Sequence, residues 1–479
     1  MVVVYRTLLV VALTISCTSN LLAQFDKDYL VRKSFKNDTD SLFKVLKGIE
    51  KTELKILSSS EQQVIGPIYK KASKKLRQLV KEGLIINDRQ IQSFVDKTYT
   101  SLNANNKFKR PAHQILISND PHVNAISYVQ GTIVINIGLL NQVENEEQLA
   151  FILAHEQAHF DLNHVKQWAS GNRPSQAKEA RKELEAVLGG GGSKEGYNSL
   201  LNWLEEVTSI SQEFELQADS LAFIYMSRSK YNLRAAVSVF GILDTPYSPK
   251  VDYGFKWLTT LESGRFKLNP NWFKDLPNIY KQYSAHKIAS LSKTLDTHPK
   301  IVERINGIRP LLAAIEPNND LLDPSPNVEE VIRRCEFEWV EGARKNRMLD
   351  LSLFQSLQLY QTYPKNSYII INIARVLYAI YNAKLEGTLN HLVPILTPNY
   401  SPELKVVNNM LYNMKEGDIA EMGYNFMMKQ RVYTSPNQDI IAWAWQFTKL
   451  TNRGTQKKEI AKVYNNRFKS SVAKYNFLK

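Results

Sequence analysis

Residues 155–159 read His-Glu-Gln-Ala-His, and no other stretch constrains the chain as tightly. Histidines four apart can serve one ion only on a helix, where a single turn separates them. In a strand the same pair would stand about 13 Å apart. The flanks agree with a helix. Asn145 followed by Gln148 fits a capping box, and an apolar series runs from Leu149 to about Val165. On that helix both imidazoles can reach one Zn²⁺ at about 2.1 Å. Glu156 points to the flank of the same site, where a carboxylate can take a proton from water.

A catalytic zinc needs a third protein ligand and one open position. The metzincin solution requires Gly at 162 and His at 165. Leu162 and Val165 stand there, so that class is excluded, and His164 is off by one position. The other solution is a glutamate on a second helix. Glu215-Leu-Gln-Ala-Asp219 lies on the next long helical segment, residues 204–227. Glu215 and Asp219 share a face, so Glu215 can ligate while Asp219 accepts a hydrogen bond from a ligating imidazole. Glu213 is the alternative ligand, but it lies off that face.

The surroundings suit such a site. Short Ile- and Val-rich runs at 113–118, 125–129 and 132–137, the last two separated by Gln130-Gly131, predict a small antiparallel sheet with a tight hairpin. Residues 25–75 and 76–104 show helical periodicity, as do 233–243 and 298–312. Residues 170–200, with Gly189 to Gly192, predict a mobile insertion. Prolines between 310 and 326 mark a linker, 313–326. Beyond it, helical segments begin near 331, 351, 368, 386, 402, 419, 439 and 458. Alternate starts repeat at the spacing of stacked helix pairs, and residues 364–378 resemble a junction between tetratricopeptide repeats.

Residues 1–24 read as an export signal, with Arg6 ahead of an apolar run, Thr7 to Ser16, too short to span a bilayer. A competing reading makes Cys17 a lipidation site. The only other cysteine is Cys335, so a disulfide framework and a cysteine-rich zinc site are both excluded. The formal charge of +14 is spread along the chain. It permits peripheral contact with anionic membranes, but no nucleic-acid motif accompanies it.

With these residues in view, the chain resembles the zinc metallopeptidases that include HtpX, the CAAX prenyl proteases and the BepA-type enzymes. Asp120-Pro-His-Val-Asn124-Ala125, Gly131, Gly138-Leu139-Leu140, Glu147 to Ala150, His155 to His159, Glu215-x-x-Ala218-Asp219, Tyr231 to Ala236 and Thr297-His298-Pro299 with Arg304 carry the resemblance. It covers about residues 85–310. Tyr128-Val129-Gln130 departs from the Pro-Gly turn that members usually carry. The resemblance implies roles for His298, as oxyanion donor or as a block on the resting site, and for Arg304 in positioning that loop.

The expectation is therefore an exported α+β protein. A gluzincin-type domain over 76–312 binds one Zn²⁺ through His155, His159 and Glu215, and uses Glu156 as base. An all-α, repeat-like domain follows over 327–479 and supplies a surface for an envelope protein partner. Its substrates would be polypeptides. The alternative is a chaperone or scaffold that binds clients through the helices and rarely cleaves.

Overall fold

The computed structural model describes residues 36–170, 212–244, 254–264, 266–276, 300–313, 328–394 and 400–468. The expected export signal with Cys17, residues 171–200 of the expected insertion, His298 and residues 314–326 of the expected linker lie outside the described residues. The chain divides into two compact units. One takes the described residues up to 244 and those from 300 to 339; the other takes 254–276 and 340–468.

In the first unit a three-stranded sheet, β1 (Gln114–Ser118), β2 (Ala125–Tyr128) and β3 (Thr132–Asn136), has the order β1-β3-β2. β2 and β3 form the expected hairpin, with Ala125 opposite Ile135. Its loop is Val129 to Gly131, closed by the Gly131 N–H donating to the Tyr128 carbonyl at 2.8 Å. Gly131 sits at φ +75°, the left-handed conformation that a three-residue hairpin loop places at this point.

The sheet is mixed rather than antiparallel, because β1 runs parallel to β3 with Gln114 opposite Thr132. Burial explains the order of the strands. All five residues of β3 are buried, so it takes the centre. β2, with Ile126 43% exposed, takes an edge. That leaves β1 the far flank of β3, where its direction is parallel.

Helices α1 (Lys36–Ile56) and α3 (Gly66–Lys81), joined through the short α2 (Ser59–Val64), cover one face of this sheet. Leu46, Leu76 and Val80 pack there with Leu116 of β1 and Val134 of β3. After α4 (Arg89–Asn106) and the strands, α5 (Ile137–Gln142) follows β3 without a loop. Gly138 makes this turn possible: a Cβ there would lie 2.1 Å from the Pro121 carbonyl oxygen.

α6 (Glu146–Asp161) is buried on nearly every side. Asn145 caps it by accepting from the Gln148 N–H at 2.9 Å. The Gln148 side chain, however, reaches back to the Glu144 N–H at 2.7 Å, so the capping box is only half formed. The helix also stops earlier than its apolar pattern predicts. Asn163 adopts φ +55°, and a separate helix α7 (His164–Ser170) begins after it. Then come α8 (residues 212–227), α9 (Leu233–Val237), α10 (Val239–Asp244) and α11 (Ile301–Ala313).

The division between units falls inside α12 (Val328–Lys345). The second unit continues with α13 (Leu349–Thr362), α14 (Ser367–Leu385), α15 (Pro402–Asn413), α16 (Glu416–Met428), α17 (Gln438–Leu450) and α18 (Gly454–Arg467). α14 packs on α13, α16 and α17. Where a helix is expected to begin near 386, the described residues hold only a short 3₁₀ helix, Leu389–His391. Glu386 instead caps the end of α14, and Gly387 at φ +68° turns the chain away. α13 is buried from Leu349 to Leu359. Trp257, fully buried, meets its Phe354 edge-on at 5.8 Å between ring centres.

Candidate metal centre

β2, α4, α9 and α10 pack against α6, and α6 presents His155 and His159 one turn apart. α8 presents Glu215 opposite them. The three side chains offer ligand atoms that all lie within 4.8 Å of one another. The two Nε2 atoms are 3.0 Å apart. Glu215 reaches His155 Nε2 at 3.3 Å and His159 Nε2 at 3.2 Å. Glu213 is exposed and accepts from Gln217 Nε2 at 3.1 Å, away from the group.

The second contacts orient the rings. His155 Nδ1 lies 2.9 Å from Asp219 Oδ1, which turns the Nε2 lone pair inward. Asp219, fully buried, receives two hydrogen bonds from Arg304, Nε at 2.7 Å and Nη2 at 2.6 Å. Arg304 also stacks over the Phe240 ring at 4.9 Å. The role foreseen for Arg304 was positioning a histidine loop; among the described residues it grips Asp219. His159 Nδ1 faces His164 Nδ1 at 2.8 Å.

The electrostatics favour a positive charge at the centre. Burial opposes protonation of His155, yet Glu215 and Asp219 outweigh it and push the imidazole up to about 10. Burial raises the Asp219 carboxyl, but Arg304 and His155 bring it below the ordinary carboxylate range. Burial, reinforced by the neighbouring His159, pushes His164 down to about 4. Two imidazole nitrogens and one carboxylate, with lone pairs turned to a common point, form a donor set that suits Zn²⁺.

A cleft of about 660 Å³ opens over this group. Glu156, only 7% exposed, lines it together with the three candidate ligands and Arg304. Residues 123–127, which include the start of the edge strand β2, form one wall. Phe151, Ile152, Val239 and Leu243 add apolar lining. The sequence reading of Arg304 did not extend to its partner, because Asp219 lies 85 residues away in sequence. His164 also has no role in the sequence reading, because it falls inside the apolar series that runs to Val165 and one position off the metzincin pattern.

Residues 86–311, which include every residue of this group, match peptidase family M48. The segment belongs to that metallopeptidase family. The chain is also similar to the beta-barrel assembly-enhancing protease of Escherichia coli (strain K12), 26% identical over 185 residues, 37% of this chain and 37% of that protein. A protein of the same name from Yersinia pestis is 29% identical over 110 residues, 23% of this chain and 21% of that one. The mitochondrial metalloendopeptidase OMA1 of Arabidopsis thaliana is 25% identical over 167 residues, 33% of this chain and 32% of that one. The chain thus spans 37% or less of the length of these curated relatives.

Proposed function

We propose that the chain is a zinc-dependent endopeptidase that hydrolyses exported or envelope proteins in their quality control. The observation that carries this reading is the meeting of His155, His159 and Glu215 within 4.8 Å, in a cleft that also holds Glu156. One zinc per chain would be held by those three residues. Bound there, the ion supplies Lewis acidity toward the scissile carbonyl and lowers the pKa of water toward about 7. Glu156 takes the proton of the attacking water and returns it to the leaving amine. Asp219 fixes the His155 tautomer, and Arg304 keeps Asp219 ionised in its buried position. An extended polypeptide adds to the edge of β2 and so lies across the cleft.

His298, three positions ahead of α11 in sequence, either donates to the developing oxyanion or blocks the resting site. The sign of the His298→Ala effect separates these roles: a fall of about 10²–10³-fold for the donor, a rise for the block. The paired helices of residues 349–467 act as a tetratricopeptide-like surface for client proteins. The leader directs the chain out of the cytoplasm.

The deciding experiment is zinc analysis together with casein digestion by the wild type and Glu156→Gln. Both should carry about one zinc, and the variant should lose about 10²–10⁴-fold in rate, the usual contribution of general acid–base catalysis. Equal rates would remove Glu156 from the mechanism.

A further inference from the structure

His159 differs from His155 in what stands behind it. His155 backs onto the Asp219 carboxylate, whereas His159 backs onto another imidazole, at 2.8 Å between Nδ1 atoms. We propose that His164 is a positioning residue that accepts a hydrogen bond from the His159 Nδ1–H and so holds the His159 Nε2 lone pair on the metal position. The proposal rests on the reading of His159 as a ligand.

The protons admit one consistent arrangement. His159 Nε2 lies 3.0 Å from His155 Nε2 and 3.2 Å from Glu215, so in a ligand its lone pair must sit there and its proton on Nδ1. That N–H meets His164 Nδ1, which must then be the acceptor and carry no proton. The His164 proton falls on Nε2, and Nε2 lies 3.2 Å from Gln217 Oε1. Gln217 is oriented to accept, because its own amide nitrogen donates to Glu213 at 3.1 Å. A neutral His164 satisfies every one of these contacts, and a protonated one would set two donors against each other at Nδ1.

The ring is also held in place. His164 is 3% exposed and stacks on Phe214 at 4.3 Å with 7° between planes. The left-handed Asn163, at φ +55°, ends α6 and turns His164 back toward His159. Arg110 Nη1 pins that residue by donating to Asn163 Oδ1 at 2.6 Å. Both α7 and α8 therefore contribute to the placing of one α6 imidazole.

Two variants separate the hydrogen bond from the packing. His164→Phe keeps a flat ring against Phe214 and has no acceptor. His164→Asn loses the ring and keeps an acceptor oxygen near the Nδ1 position. Zinc affinity of the full chain, measured by competition with a chelator, should fall about 10–100-fold in His164→Phe and stay near wild type in His164→Asn. Wild-type affinity in His164→Phe, or equal losses in both variants, would overturn the proposal. Nitrogen NMR of the zinc-loaded wild type gives a second test that does not depend on any variant. It should find His159 protonated at Nδ1 and His164 at Nε2, and the reverse tautomer of His164 would also refute the role. The ligand reading itself fails separately, if the wild type binds no zinc or His159→Ala retains it.

Discussion

Asp219 serves two neighbours at once: it lies 2.9 Å from His155 Nδ1 and accepts from both arms of the Arg304 fork. Its burial makes the pair a commitment, since a carboxylate stripped of its guanidinium would remain in a low dielectric. Arg304→Ala should therefore reduce stability by about 3–5 kcal/mol, the range for removing one partner of a buried pair. Arg304→Lys should recover only part, because an ammonium cannot reproduce the two-pronged contact. Denaturant unfolding of the zinc-free variants checks this, and an unchanged midpoint in Arg304→Ala would mean that Asp219 needs no countercharge. Gly138 poses the opposite problem, with no room rather than too much charge. A Cβ there meets the Pro121 backbone, just ahead of the strand that walls the cleft. Gly138→Ala should lose about 1–3 kcal/mol, as overpacking does, and the same unfolding measurement reads it.

Among the helices, α13 carries a burden that its apolar neighbours do not share. Asp350 is fully buried on it, held by the Leu351 N–H at 2.9 Å and by Asn408 Nδ2 at 2.8 Å. Burial pushes its carboxyl up to about 6, and the hydrogen bonds from Asn408 and Leu351 offset only part of that. A carboxyl whose folded pKa is raised stabilises the fold fully below its unfolded value. That contribution drains away as pH climbs toward the folded value. The second unit should thus lose on the order of 3 kcal/mol between about pH 4 and pH 6 and change little above. Calorimetry of the wild type against Asp350→Asn tests this. The variant should lack the slope in that window; a slope that persists would assign it to another group.

At the scale of the whole chain, neither unit is contiguous in sequence. Residues 254–276 belong with 340–468, where Trp257 lies against Phe354 and Asn413 Nδ2 donates to the Trp272 carbonyl at 3.0 Å. Removing residues 325–479 would uncover Trp257, Leu261 and Trp272, so that truncation should be poorly soluble. Removing 247–277 together with 340–479 spares the core of the first unit and should retain zinc binding. A soluble, zinc-binding chain that lacks only 325–479 would contradict this. The first unit likewise exceeds the matched segment, 86–311, because Glu53 of α1 is buried against Arg110 at 2.7 Å and His113 at 2.9 Å.

The features encoded at short range can be read directly along the chain. The four-residue spacings of His155 with His159 and of Glu215 with Asp219 become shared faces on any helix, whatever packs around it. The starts of α13, α14, α15, α16, α17 and α18 were legible to within about four residues for the same reason. Long-range packing, by contrast, sets which strand is central, where α6 ends, and what Arg304 and His164 touch. Val165 remains apolar beyond the break, so no periodic signal marks Asn163 as left-handed. Arg304 meets Asp219 from 85 residues away, and Glu53 meets Arg110 from 57. Such contacts depend on how elements pack after they form, and the spacing of residues along the chain carries no record of it.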